Sequence, residues 1–195
     1  MLPALFDEAN KLRRFTVEVM RCLADDGIAS VLADFPGCNE SRRPLDTQTL
    51  EGWRHAALAA AGHFEATHVL TLRGGALLAP TDMPGWNYAP IAGRQVLRPM
   101  LRARTLSARE AGTEETTGGL AQLGRSEGIE LAGWSLGRDL FRELEAADLP
   151  SQSAQVRIEQ DALGGSGLWL RAEPGESREQ AEALAAAVGQ GMQEA

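Results

Sequence analysis

Along the 195 residues, stretches with apolar residues every three or four positions alternate with short, nearly continuous apolar runs. This is the pattern of a parallel sheet covered by helices. From Glu8 to Asp25, Leu12, Phe15, Val19, Cys22 and Leu23 keep helical spacing and Gly27 follows as a stop, which predicts an amphipathic helix. "IASVLADF" (28–35), closed by Pro36-Gly37, predicts a buried strand. Gln48 to Ala61 predicts a second helix with Leu50, Trp53, Ala57 and Ala61 on one face, and "THVLTL" (67–72) a second buried strand. Arg73-Gly74-Gly75 breaks that strand at a point where glycines permit a tight strand-to-helix turn.

After Leu78 the pattern loosens: the prolines of "APTDMPGWNYAP" leave room only for a very short helix, and a third strand is expected around Trp86 to Ile91. Residues of about 94–128 are expected to form an irregular helical excursion outside the sheet. Arg138 to Ala147 predicts a helix ended by Pro150, "QVRIEQ" (155–160) and "LWLRAE" (168–173) two short strands, and Ser177-Arg178-Glu179-Gln180 a capping box opening a last helix to about residue 188. The whole reads as one domain, 1–195, with no internal repeat.

Composition narrows the function classes. With 44% hydrophobic and 24% charged residues the chain is ordinary globular protein. There is no run of eighteen apolar residues, and "MLPALFDEANKLRR" turns charged too soon for a secretory leader, so a soluble, cytoplasmic protein without membrane insertion is expected. A formal charge of -8 supplies no field for nucleic acid. Cys22 and Cys38 lack C-x-x-C spacing and are expected to be free thiols. No two of His55, His63 and His68 stand at i, i+4, so no metal site and no cofactor is expected. Arg94, Arg98 and Arg102 recur every four residues and would form a basic stripe on a helix, more in keeping with a solvated face than with an anion-binding surface.

Gly133-Trp134-Ser135-Leu136-Gly137 carries the G-x-S-x-G spacing of a serine nucleophile between strand and helix. That chemistry requires an acid and then a histidine downstream, yet no histidine follows His68. Ser135 is therefore read as a residue of the cap region that follows this excursion, with an active esterase or thioesterase using Ser135, or Cys38 in its place, as the alternative.

Five blocks, "PALFDEANKLRR", "ADFPGCNES", "LTLRGGALLAP", "APIAGRQVLRPMLRAR" and "GIELAGWSLGRDL", in that order resemble the exosortase A system-associated hydrolases, an α/β-hydrolase-fold group encoded with bacterial exopolysaccharide genes. The resemblance implies a reduced α/β-hydrolase-like parallel sheet flanked by helices, with a helical cap inserted at about 94–128. It places residues 2–5 as a strand between 28–34 and 67–72, and implies that the chain begins later than the complete family sheet. The family's oxyanion-side loop falls on Phe6, Glu8, Asn10, Lys11, Arg13 and Arg14, the next turn on Asp34, Gly37, Cys38 and Ser41, with Asn39 where glycine is usual, and the nucleophile elbow on Thr71 to Gly75. Arg73 then holds the nucleophile position, and a guanidinium cannot attack a carbonyl. The resemblance thus implies a catalytically degenerate protein in an accessory or ligand-binding role for the exopolysaccharide system. Glu8, Asn10, Lys11, Cys38, Arg73 and Gly74 are its candidate ligand-binding residues, for a small anionic ligand or a protein of that system. The alternative at Arg73 is an internal ion pair with Glu8 or Asp34. A third reading is a structural partner that assembles, as a homodimer for example, through an exposed sheet edge.

Overall fold

The structure is a computed structural model, and residues 1–193 are described. Helix α1 (Asp7–Asp25) buries Leu12, Phe15, Val19 and Leu23, the apolar stripe of the sequence, and places Asp7 and Glu8 at the positive end of its dipole. Helix α2 (Leu50–His63) is capped by the Thr49 hydroxyl, which accepts from the Gly52 N–H at 2.9 Å. Strand β1 (Val69–Leu72) is buried along its whole length, and strand β2 (Gly85–Tyr88) is shorter than the segment the sequence suggested.

The excursion is regular. Helices α3 (Gly93–Glu110) and α4 (Thr117–Ser126) lead into a hairpin of β3 (Ile129–Leu131) and β4 (Trp134–Leu136), then helix α5 (Arg138–Ala146). The hairpin turns on Ala132 (φ 51°) and Gly133 (φ 80°), the paired positive angles of a tight two-residue connection. Leu97, Met100, Leu120, Leu131, Leu136, Phe141 and Leu144 share one core, so the unit reaches well past residue 128. Arg94, Arg98 and Arg102 lie exposed on α3.

Strand β5 (Gln155–Ile158) and the single-turn helix α6 (Gln160–Leu163) follow. Residues 168–170 form a 3-10 turn rather than the expected strand, because Leu168 anchors in the core beneath α1 while Leu170 stays exposed, and among the described residues no strand lies beside them. Helix α7 (Arg178–Gln193) is the last described element. Only half of its expected capping box forms. The Ser177 hydroxyl accepts from the Gln180 N–H at 3.4 Å, but the Gln180 side chain donates to the carbonyls of Gly164 and Ser166.

The sheet is parallel in the order β1-β2-β5, with Val69 opposite Gly85 and Gly85 opposite Gln155. Its outer side is extended by one isolated parallel bridge: the Leu2 N–H donates to the Leu70 carbonyl at 2.9 Å, and the Leu72 N–H to the Leu2 carbonyl at 3.0 Å. The Met1 nitrogen in turn donates to the Val31 carbonyl at 2.6 Å. Residues 1–3 thus separate β1 from the segment around Val31, the order the family register implied for residues 2–5. Residues 28–34 are not a buried strand, however. They form no ladder, and Ala29, Val31 and Asp34 are exposed: the backbone hydrogen bonds they make are those of the Ile28 N–H to the Leu23 carbonyl and of the Met1 nitrogen to the Val31 carbonyl.

Two cores flank the sheet. Leu70, Leu72, Trp86 and Tyr88 pack with α1 and α7, whereas Val69 packs with α2 and the excursion, as strand alternation requires. Between β1 and β2 the buried Thr71 hydroxyl donates to Asn87 Oδ1 at 2.6 Å. Gly75 lies where the chain after β1 crosses residues 2–3. A Cβ there would stand 2.4 Å from the Pro3 carbonyl oxygen and 2.7 Å from that of Leu2.

Candidate functional site

Open parallel sheets gather their loops at the carboxyl ends of the strands. Here three adjacent segments end on non-glycine residues in left-handed conformation: Phe6 (φ 53°) after the Leu2 segment, Arg73 (φ 54°) after β1 and Ala89 (φ 43°) after β2. Such angles cost about 1–3 kcal/mol each and persist only where the surroundings over-determine them. The turn at Arg73 is followed by a 3-10 segment, Arg73–Leu78, so residue 73 sits on a strained strand-to-helix turn, with Gly74 buried against Leu5 and Val96.

The Arg73 guanidinium links all three turns. Nε and Nη2 donate to the two Glu8 carboxylate oxygens, each at 3.0 Å, and Nη1 donates to the Ala89 carbonyl at 3.0 Å. The side chains of Arg73 and Glu8 are only 12% and 18% exposed. Trp169 covers the guanidinium at 3.9 Å from its ring centroid. Beside it, the Tyr88 hydroxyl donates to Gln160 Oε1, and burial raises its pKa well above the usual phenol value against the opposing pull of the Arg73 charge. Three of the five guanidinium N–H groups are engaged and Glu8 balances the charge.

The other candidates are less tightly gathered. Asn10 is exposed on α1, and Lys11 pairs with Asp7 at 3.1 Å, one turn earlier on the same helix. Cys38 packs against the α2-side core, in a loop where the Trp53 indole donates to the Pro36 carbonyl at 2.8 Å. Burial and the nearby Asp34 carboxylate push its thiol up to about 11, which keeps it protonated and poorly nucleophilic at neutral pH. Asn39 takes the positive φ (47°) its position calls for and donates to Asp34 at 2.7 Å. Asp34 is the partner of Arg13 at 3.6 Å, so of the two carboxylates considered for Arg73 it is Glu8 that pairs.

Ser135 is exposed in the middle of β4, opposite Glu130 in the hairpin ladder, on a shallow concavity it shares with Asp46, Glu127 and Asp139. The local strand-glycine-helix order exists, since Gly137 precedes α5, but the serine stands before the turn rather than on it. Among the described residues no hydrogen bond joins Ser135 to a histidine. His55 lies 3.5 Å from Glu51, His63 meets the Phe64 ring edge-on, and His68 stacks on Trp86. No group of three or more His, Cys, Asp or Glu able to hold a metal occurs among the described residues, and no helix among them is long and apolar enough to cross a membrane.

Sequence reasoning missed Phe6 as a strained turn, the Ala89 carbonyl as an acceptor for Arg73 and Trp169 as the cover of Arg73. No family model, curated protein or solved structure matches the chain.

Proposed function

We propose that this chain is a catalytically degenerate α/β-hydrolase-like protein that serves a bacterial exopolysaccharide system as an accessory or binding component. The observation that carries the reading is Arg73: a residue that cannot act as a nucleophile occupies the strained turn after β1 and is fixed there by Glu8, Ala89 and Trp169. The succession of parallel segments from residues 1–3 through β1, β2 and β5, with a helical unit inserted between β2 and β5, accords with that fold class. The link to exopolysaccharide synthesis rests on the resemblance of the five sequence blocks. Because Glu8 already meets the Arg73 charge, a ligand here would engage the two remaining guanidinium N–H groups by hydrogen bonding rather than by net charge.

The test is chemical. The purified protein, exposed to a serine-directed fluorophosphonate and to short acyl esters, remains unlabelled and turns over no ester above the buffer rate. Stoichiometric labelling of a serine, with matching ester turnover, would replace this reading by that of a working hydrolase.

A further inference from the structure

Every lysine and arginine of α1, α2 and α7 pairs with a carboxylate. Lys11 meets Asp7, Arg21 meets Glu18, Arg54 meets Glu51 and Arg178 meets Glu182 within their own helices, and Arg13 and Arg14 reach Asp34 and Glu176. The outer face of α3 differs. No Asp or Glu occurs between Asp82 and Glu110. Arg98, Arg102 and Arg109 are exposed and have no ionic partner among the described residues, while Arg94 donates to the Glu145 carbonyl at 2.8 Å. Two carboxylates beside this helix, Glu115 and Glu145, are engaged by Arg104 and Arg125.

At 100° per residue, Arg94, Arg98, Arg102 and Arg109 fall within about 80° of the helix surface, opposite the buried Val96 and Met100. Arg94, Arg98 and Arg102 follow one another at about 6 Å, and Leu106, 61% exposed, continues the same row one turn further on. The arrangement works against the helix. Like charges four residues apart repel, and Arg94 stands in the first turn, at the positive end of the dipole. A solvated face, the expectation from spacing alone, is served as well by mixed charges. A row kept wholly cationic, on a chain of net charge -8, breaks the local rules in the way a binding surface does.

We propose that the outer face of α3 docks an acidic helical segment of a partner protein. Its glutamates or aspartates, at every fourth position, face Arg94, Arg98 and Arg102, and an apolar residue one turn away meets Leu106. A second helix repeats its side chains at the same interval, so the charge pairs form in register. Exposed pairs are individually weak, which makes that register the source of selectivity. An anionic bilayer or a nucleic acid would instead bring a broad negative surface against the rest of the chain, whose net charge opposes it. The inference goes beyond the reading at Arg73 and stands apart from it, because the side of α3 toward Gly74 is the buried one that carries Val96.

The probe is a blocked, labelled alanine-based peptide with three glutamates four residues apart and a leucine four residues beyond them at either end, so that either direction presents one to Leu106. Its isomer has the same residues shuffled so that the glutamates surround the helix. In anisotropy titrations at low salt the intact protein binds the probe at least about tenfold more tightly than the isomer, and added salt weakens the complex. Arg98→Gln combined with Arg102→Gln weakens binding by about tenfold or more, whereas Arg42→Gln combined with Arg43→Gln, exposed arginines of a loop, leaves it unchanged. The α3 double variant melts at the parent temperature or above, since it loses no ionic partner and relieves repulsion. The proposal is overturned if the isomer binds as tightly as the probe, if the α3 variant binds like the parent, or if that variant melts well below the parent, for then the arginines serve the fold. It is overturned as well if polygalacturonate or phosphatidylglycerol vesicles bind the ridge more tightly than the probe, which would assign it to a different occupant.

Discussion

Glu8 and Arg73, far apart in sequence, meet through two parallel hydrogen bonds of 3.0 Å, so the first turn of α1 is tied to the end of β1 by one ion pair. The contact is largely shielded from solvent, and neither charge has another ionic partner among the described residues. Removing one member therefore leaves the other desolvated and alone.

Arg73→Ala and Glu8→Ala should each destabilise the protein by on the order of 3 kcal/mol, and the double variant should lose much less than the sum. Urea melts of the four proteins measure the coupling. Additive losses would mean that the pair contributes no interaction of its own. Arg73→Lys should recover little, because an ammonium cannot make the parallel pair of bonds and reach Ala89 at the same time.

Ser135→Ala should leave stability within about 0.5 kcal/mol of the parent, because the hydroxyl is exposed and makes no hydrogen bond among the described residues. It should equally leave any ester hydrolysis unchanged. A hydrolytic rate that vanishes in this variant would identify Ser135 as a nucleophile despite its place in the hairpin ladder.

Two glycine substitutions should move in opposite directions. Gly75→Ala drives a methyl into the Leu2 and Pro3 carbonyls, costs about 1–3 kcal/mol, and should speed exchange of the Leu72 amide as the Leu2 bridge is pushed away. Gly62→Ala, within α2 with open space around it, should raise stability by about 0.4–1 kcal/mol. Thermal melts with amide exchange check both.

The Cys38 thiol has a folded pKa above its ordinary value of 9.0, so the protonated form is the one folding favours. Its contribution to stability is fully present below pH 9 and is lost as pH rises toward 11. Alkylation at pH 8 should run on the order of 100-fold slower than for a free thiol, in proportion to the thiolate present. Asp34→Asn should shift the rate profile toward lower pH, although burial, the larger cause, remains.

The helices were legible in the sequence because their stripes are local: Leu12, Phe15, Val19 and Leu23 mark the same face before and after folding. The turn at Arg73 was legible too, from a continuous apolar run meeting two glycines. Glu8 could be named as its partner only as one of two possibilities, since proximity across the sheet is not written in spacing. Trp169 and Ala89 reach the guanidinium from other parts of the chain and left no local trace. "IASVLADF" has the composition of a buried strand, yet in the fold it forms no ladder and Ala29, Val31 and Asp34 stay exposed. "LWL" was misread because an apolar triplet serves a 3-10 anchor as well as a strand.

The Leu2 bridge also bears on synthesis. Leu2 leaves the ribosome well before its hydrogen-bond partners Leu70 and Leu72 are made. At translation rates of about 5–20 residues per second Leu2 and its neighbours wait several seconds for the strand that will hold them. During that interval α1 can form beside an apolar segment, Met1 to Phe6, that has no ladder to join. Residues 1–3 are thus made long before they can be secured, and a chaperone has that interval in which to act on them.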